Sequence, residues 1–272
     1  MGGFMPRISI ITVCLNSAST IEATILSVIS QNYTDFEYII VDGGSNDGTI
    51  EILGKYKVHI STLISEPDGG ISDAFNKGIR LATGELIGIV SSDDYLPENV
   101  LNQVAELWND NPGADVIYGN AIVFEDGNSE RFVVKPDLNF NAIWRRTPVK
   151  HAATFISRKA YETYGAYSVK YKFAMDYELI LRFYIGGAKF IYFDKILGAF
   201  KIGGINTRHF VKARKEVREA AIEYGLVCYK ANFWFWFSVF ELMLKRIIQK
   251  GGFYFLVNIY RRVSPRFCKT KV

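Results

Sequence analysis

Through its first ninety residues the chain alternates short, wholly apolar runs with segments whose apolar positions recur every three to four residues. The runs Ile8–Val13, Tyr38–Val41, Val58–Ile64 and Leu86–Val90 predict buried strands, and Thr20–Ser30, Thr49–Tyr56 and Ile71–Ala82 predict helices between them. Strands apolar on both faces and separated by crossover helices belong to a parallel sheet covered on both sides, so this half is Rossmann-like. Near residue 115 the rhythm changes. Strands are predicted at Asp115–Tyr118, Ala121–Phe124 and Arg131–Val134, with a turn at Glu125–Asn128. A strand at His151–Ser157, a helix at Ala174–Tyr184 and a strand at Phe190–Phe193 follow, then an amphipathic helix at Arg208–Tyr224. Two aromatic-rich helical segments, Phe233–Gln249 and Phe253–Arg262, close the chain. The expected class is α/β, a mostly parallel sheet flanked by helices, with residues 1–210 as one catalytic-sized domain and 211–272 as a helical, aromatic and basic extension.

In such a sheet ligands collect beyond the C-terminal ends of the strands. Here those ends read Thr12 to Asn16, then Asp42-Gly43-Gly44-Ser45-Asn46-Asp47, then Glu66-Pro67-Asp68-Gly69-Gly70, then Ser91-Ser92-Asp93-Asp94. Any one of these is an ordinary turn, since Asp, Asn and Gly favour turns. Four on one rim crowd carboxylates that repel one another unless a cation offsets them, and hard oxygen ligands favour Mg²⁺ or Mn²⁺ over zinc. There is no G-x-x-x-x-G-K-[ST] loop and no G-x-G-x-x-G after the first strand, which weighs against a P-loop or nicotinamide enzyme. Gly43–Asp47 fails as a nucleophile elbow and as a calcium loop.

The ordered set SIITVCLN at 9–16, VDGGSNDGT at 41–49, SEPDGGISDAFNKGI at 65–79, ATGE at 82–85, SSDD at 91–94, HAATF at 151–155 and AMDYELILR at 174–182 resembles the family 2 glycosyltransferases of the GT-A fold, over about residues 7–205. The resemblance implies a transferase that uses a nucleotide-sugar donor, with UDP the expected nucleotide. It implies that Asp42 and Thr12 meet the base, that Asn16, Glu66 and Asp73 lie in the donor site, and that Asp93 faces the ribose. Asp94 would hold the metal, as in the family's DXD-type motif. Asp176 matches the family's general base, although Met175 stands where a Glu is commoner, which leaves Glu178 as a competitor on the acceptor side. Both carboxylates also read as helix-capping or ion-pairing groups, with Arg182 four residues after Glu178. His151 matches a position near the acceptor, and His209, beside Lys201 and Arg208, is a candidate to reach the metal or diphosphate.

Charge and cysteine content narrow the setting. Of 272 residues about half are apolar, ample for a large core. The three cysteines are scattered without a CxxC pair, which suggests neither a disulfide framework nor a zinc site. The N-terminal stretch has no signal-like apolar core, so a cytosolic chain is expected. After Glu241 there is no acidic residue, whereas Lys245, Arg246, Lys250, Arg261, Arg262, Arg266, Lys269 and Lys271 are basic. The bulky aromatics among them, Phe233 to Phe240, form an apolar run of about half the roughly 20 residues a membrane span needs. An in-plane association with the anionic inner face of the cytoplasmic membrane fits this composition, and so does packing on protein. Contiguous aromatics are poor base-stacking platforms, so nucleic acid is not an expected partner. A saccharide or polyprenyl-diphosphate-linked acceptor suits the tail and the resemblance together. The alternatives are a sugar-phosphate nucleotidyltransferase, disfavoured by a first loop without glycine or basic residues, and a non-catalytic nucleotide or polysaccharide binding protein.

Overall fold

The computed structural model describes residues 5–125, 130–202, 209–250 and 267–268, the last seven of the 209–250 stretch by backbone alone. Four parallel strands open the chain: β1 (Ile8–Cys14), β2 (Phe36–Asp42), β3 (Thr62–Ser65) and β4 (Leu86–Ile89). They are joined by α1 (Ile21–Ile29), α2 (Thr49–Lys55) and α3 (Ile71–Leu81). Every residue of β1 and β4 is buried, as the uninterrupted apolar runs require of strands covered on both faces. The segment expected as a strand at Val58–Ile64 departs from this: Lys57–His59 is a 3₁₀ turn with Val58 exposed, and the strand begins only at Thr62.

α4 (Val100–Asp110) leads into β5 (Val116–Phe124), one nine-residue strand where two short ones were expected. The Gly119-Asn120 pair that reads as a break is instead a register shift against β8 (Phe190–Lys201). A Cβ on Gly119 would sit 2.6 Å from the Leu197 side chain, so glycine admits the close approach. β6 (Phe132–Val134), β7 (Thr154–Ser157), α5 (Arg158–Tyr164) and α6 (Met175–Ile185) complete the domain, with α7 (Phe210–Glu223) and α8 (Cys228–Lys250) after β8. A short β9 (Phe267–Cys268) pairs with β6. The expected helix at Phe253–Arg262 lies outside the described residues.

The sheet order is β3-β2-β1-β4-β7-β5-β6-β9, with β8 on the other edge of β5. β7 runs antiparallel to both β4 and β5, Leu86 opposite Ser157 and Gly88 opposite Phe155, whereas β5 and β8 are parallel. This reversal places the site, because the residues that precede β7 arrive at the rim that the residues following β1, β2 and β4 leave. His151, in a 3₁₀ turn ahead of β7 rather than in the expected strand, therefore shares that rim with Asp93 and Asp94.

Two cores sandwich the sheet. One, under α1 and α4, contains Ile21, Ile25, Leu101 and Val104; the other, under α3 and α6, contains Phe75, Leu179 and Phe183. Ala220 of α7 is buried in the second, which packs the start of the 211–272 segment against the catalytic layer. A buried carboxylate ties the base of the sheet. Glu37 of β2 accepts from Ser9 Oγ at 2.6 Å and from the Thr83 amide at 2.6 Å and hydroxyl at 3.0 Å, with Arg7 at 3.4 Å.

Candidate active site

The loops after β1 and β2 are laced together. Asn16, in the left-handed region at φ 51°, accepts from the Asn46 amide at 3.0 Å and donates its own amide to Ser45 Oγ at 2.8 Å. Asp47 accepts from the Ala18 amide at 3.0 Å and from Thr49 Oγ1 at 2.6 Å. Asp42 is fully buried, and its oxygens accept from the Gly44 and Ser45 amides at 3.0 and 2.9 Å, from Ser65 Oγ at 2.7 Å and from Ser45 Oγ. Burial would raise the Asp42 pKa, and these donors reverse that and lower it. The carboxylate thus shapes the loop, and a base N–H could meet it only by displacing one of these donors. Thr12 corrects the expectation more firmly. Its side chain is fully buried and its hydroxyl accepts from Tyr38 at 3.1 Å, so no hydroxyl of Thr12 reaches the rim.

Glu66 and Asp73 bracket one cation, Lys77 Nζ lying 2.7 Å from Glu66 and 3.7 Å from Asp73, while Asp73 also accepts from the Gly69 amide at 3.0 Å. Asp68 accepts from the Gly70 amide at 2.8 Å. The rim expected to carry mutually repelling carboxylates is therefore largely neutralised by amides, hydroxyls and Lys77. Asp93, Asp94 and Asp176 take no part in these contacts.

Asp93 is exposed and Asp94 nearly buried, held by the Lys201 amide at 3.0 Å, which pins the SSDD turn to the end of β8. Tyr95 and Ala199 bridge the same two segments, and Ser92 and Ser17 share a hydroxyl contact of 2.9 Å with the first loop. Burial, then the charge of Asp93, with Asp176 contributing less, raises the Asp94 carboxyl to about 7. A buried carboxylate strained by neighbours of its own sign is chemically suited to a hard cation. Asp94, with Asp93 beside it, would hold Mg²⁺ or Mn²⁺. Among the described residues no group of three or more His, Cys, Asp or Glu side chains could hold an ion alone, so donor phosphate and water would supply the remaining ligands. His209 is exposed and sits ahead of α7 with its ring 5.0 Å from that of Phe173. Arg208 lies outside the described residues.

Asp176 stands in the first turn of α6 and lines a small cleft with Ile87 and Ile89 of β4, His151 and Thr154 around the start of β7, and Tyr167. Asp176 Oδ1 and His151 Nε2 are both buried without a hydrogen-bond partner. The His151 ring stacks on Phe75 at 5.4 Å, which fixes its plane. The start of α6 is itself held by Glu216 of α7, whose carboxylate accepts from the Phe173 and Ala174 amides at 2.7 and 2.9 Å. Glu178 is corrected as an acceptor residue. It is buried away from the cleft, 2.8 Å from Arg182 Nε and 2.7 Å from the Tyr224 hydroxyl, and Arg182 goes on to bind the carbonyls of Gly165 and Ala166. The i,i+4 spacing to Arg182 was its signal in the sequence. Tyr167, Thr147 and Glu216 escaped sequence reading, since no local pattern marks a tyrosine or threonine in a cleft wall or a glutamate that caps another helix.

Comparison with known proteins gives this site a family. A PGL/p-HBAD biosynthesis glycosyltransferase of Mycobacterium tuberculosis is 30% identical over 181 residues, covering 65% of this chain and 69% of that one. Hyaluronan synthase of Pasteurella multocida is 28% identical over 237 residues, which are 81% of this chain and 24% of the synthase. Among solved structures, S. aureus TarS 1–349 in complex with UDP-GlcNAc superposes with a TM-score of 0.61 at 18% identity, over 84% of this chain and 70% of that one. The mannosyltransferase PcManGT from Pyrobaculum calidifontis, in complex with GDP-Man and Mn²⁺, superposes with a TM-score of 0.63 at 19% identity, over 95% and 83%. These two likenesses establish the fold. The model of glycosyl transferase family 2 matches residues 9–170, from β1 to just short of α6, and with more than half of its length inside that match this chain belongs to glycosyltransferase family 2, on a GT-A fold.

Proposed function

We propose that the protein moves a hexosyl or N-acetylhexosaminyl group from a nucleoside-diphosphate donor, UDP-linked, to a hydroxyl of a saccharide or lipid-linked saccharide in one displacement that inverts the anomeric centre. The observation that carries this reading is Asp176 Oδ1, buried and unpartnered in a cleft it shares with His151, with its charge also felt by Asp94. A carboxylate oxygen in that state accepts a hydrogen bond from the acceptor hydroxyl and takes its proton as the hydroxyl oxygen bonds to the anomeric carbon. The bond from that carbon to the diphosphate breaks and its electrons leave with the nucleotide. His151 Nε2, unpartnered in the same cleft, orients the acceptor. On the donor side Asp93 meets the ribose, and the loop shaped by Asp42 and Asn16 receives the base. Asp94 would hold a divalent cation, whose chemistry there would be to offset the charge on the departing diphosphate. That a GT-A neighbour carries GDP-Man with Mn²⁺ and another UDP-GlcNAc supports the donor class.

Calorimetric titration of UDP, GDP and dTDP, with and without Mn²⁺, on the native chain and Asp94→Ala tests the donor site. Binding of one nucleotide that needs the ion and is lost in the variant is expected. Binding of none overturns the proposal, and binding without turnover of any sugar nucleotide returns the chain to a non-catalytic role.

A further inference from the structure

We propose that α8 is a membrane-docking helix that lies flat on an anionic phospholipid surface; this stands apart from the reading of the catalytic cleft. On a helix turning about 100° per residue, Ala231, Ser238, Val239 and Trp234 fall on one side. That side is the one packed on the domain: Ala231 and Val239 are buried, and the Arg145 guanidinium covers the Trp234 ring at 4.8 Å. Tyr229, Phe233, Trp236, Phe237, Phe240 and Met243 fall on the opposite side, and all six are exposed, Trp236 by 66% and Phe240 by 61%. The aromatic part of the stripe runs for about three turns, from Tyr229 to Phe240, with no charged residue in it. Lys230 and Glu241 lie on its flank.

An apolar face of this kind needs a cover, and three observations select lipid. The helix is held to the domain by its other side, so the stripe points outward as a unit. Beyond Glu241 the sequence carries eight Lys or Arg and no Asp or Glu, a basic composition that an anionic headgroup layer complements. Pairing with a second copy would instead bring two such tails together against their mutual repulsion. Tyr and Trp are also the side chains that settle at the headgroup boundary, with ring in hydrocarbon and polar atom in water. Among the described residues no helix is long and apolar enough to cross a membrane, so the orientation is in-plane. Because Arg145 stands two residues before Thr147 of the cleft wall, docking would hold the cleft close to the lipid surface.

The test is co-sedimentation of the full chain with vesicles of phosphatidylcholine alone and of equimolar phosphatidylcholine and phosphatidylglycerol, comparing native protein with the doubly exposed variant Trp236→Glu/Phe240→Glu. Circular dichroism confirms that the variant is folded. The native chain is expected to partition at least about tenfold better onto the anionic vesicles, with the variant reduced by about tenfold or more. Brominated acyl chains should quench fluorescence in the native chain, and the Trp236→Phe variant should lose most of that quenching. Equal partitioning of native and variant protein overturns the proposal, as does failure of the native protein to bind. Concentration-dependent self-association that the variant abolishes without any vesicle binding would assign the face to a second copy.

Discussion

Asp176 and Glu178 stand two residues apart on α6 and face opposite ways, Asp176 into the cleft with an oxygen that has no partner, Glu178 into a pocket where Arg182 and Tyr224 engage it. Two steps along a helix rotate a side chain by about 200°, so one short acidic motif serves both faces. Substitution separates them. Asp176→Asn should lower kcat by roughly a hundredfold or more while leaving the thermal midpoint unchanged. Glu178→Ala should do the reverse, costing on the order of 3–5 kcal/mol of stability because Arg182 is left buried without its anion. Steady-state kinetics and urea unfolding on both variants decide it; a kcat loss confined to Glu178→Ala would exchange the two roles.

Asp94 predicts a proton count. Its carboxyl, raised to about 7 by burial and by Asp93 and Asp176, retains in the folded chain a proton that the unfolded chain has lost. Its contribution to stability therefore falls as pH rises from the ordinary carboxylate range to about 7. A cation bound there competes with that proton. Nucleotide binding with Mn²⁺ at about pH 6 should release a proton, seen as a dependence of the calorimetric enthalpy on buffer ionisation, and the release should vanish above about pH 8 and in Asp94→Asn. An enthalpy independent of buffer at the lower pH would remove Asp94 from the metal site.

Glu37 predicts acid behaviour of the fold itself. Burial alone would raise its pKa, but the bonds from Ser9 and Thr83, helped by Arg7, outweigh it and the value is lowered. The stabilisation is present above the ordinary glutamate value and is lost as pH falls through the lowered one. Glu37→Gln should reduce stability at neutral pH by about 1–3 kcal/mol and flatten the loss as pH falls below the ordinary glutamate value. Urea midpoints across that range give the answer, and parallel curves for the two proteins would deny Glu37 this part.

Much of the rim beyond β1 to β4 was legible because turn chemistry is local. Asp42, Asn16 and SSDD follow apolar runs whose period announces a strand, and the topology brings those strand ends together as expected. The roles within them were less legible, since whether an Asp faces ligand or its own loop depends on donors such as Ser65 that lie in another strand. α4 and α5 went unread. α4 buries Val100, Leu101, Val104 and Ala105 behind an Asn99 in left-handed conformation, and α5 starts from Ser157, whose hydroxyl caps the Ala160 amide. Both lie beside strands that held the attention of a period-based reading. Gly119-Asn120 misled for a related reason, since a glycine that admits Leu197 across the sheet looks the same in sequence as one that turns the chain.

The reversed strand β7 also sets the order in which the molecule can assemble. β1 finds β2, and β2 finds β3, through short crossovers, whereas β1 meets β4, β4 meets β7, and β5 meets β8 only by closing loops of roughly seventy residues, an entropic cost paid before any contact rewards it. The loops after β1 and β2 therefore belong to the part of the chain that can gain structure early. The cleft shared by His151 and Asp176, and the bond that pins the Asp94 turn to the end of β8, exist only once the distant strands are in place, so any catalytic competence should be the slowest property to return on refolding.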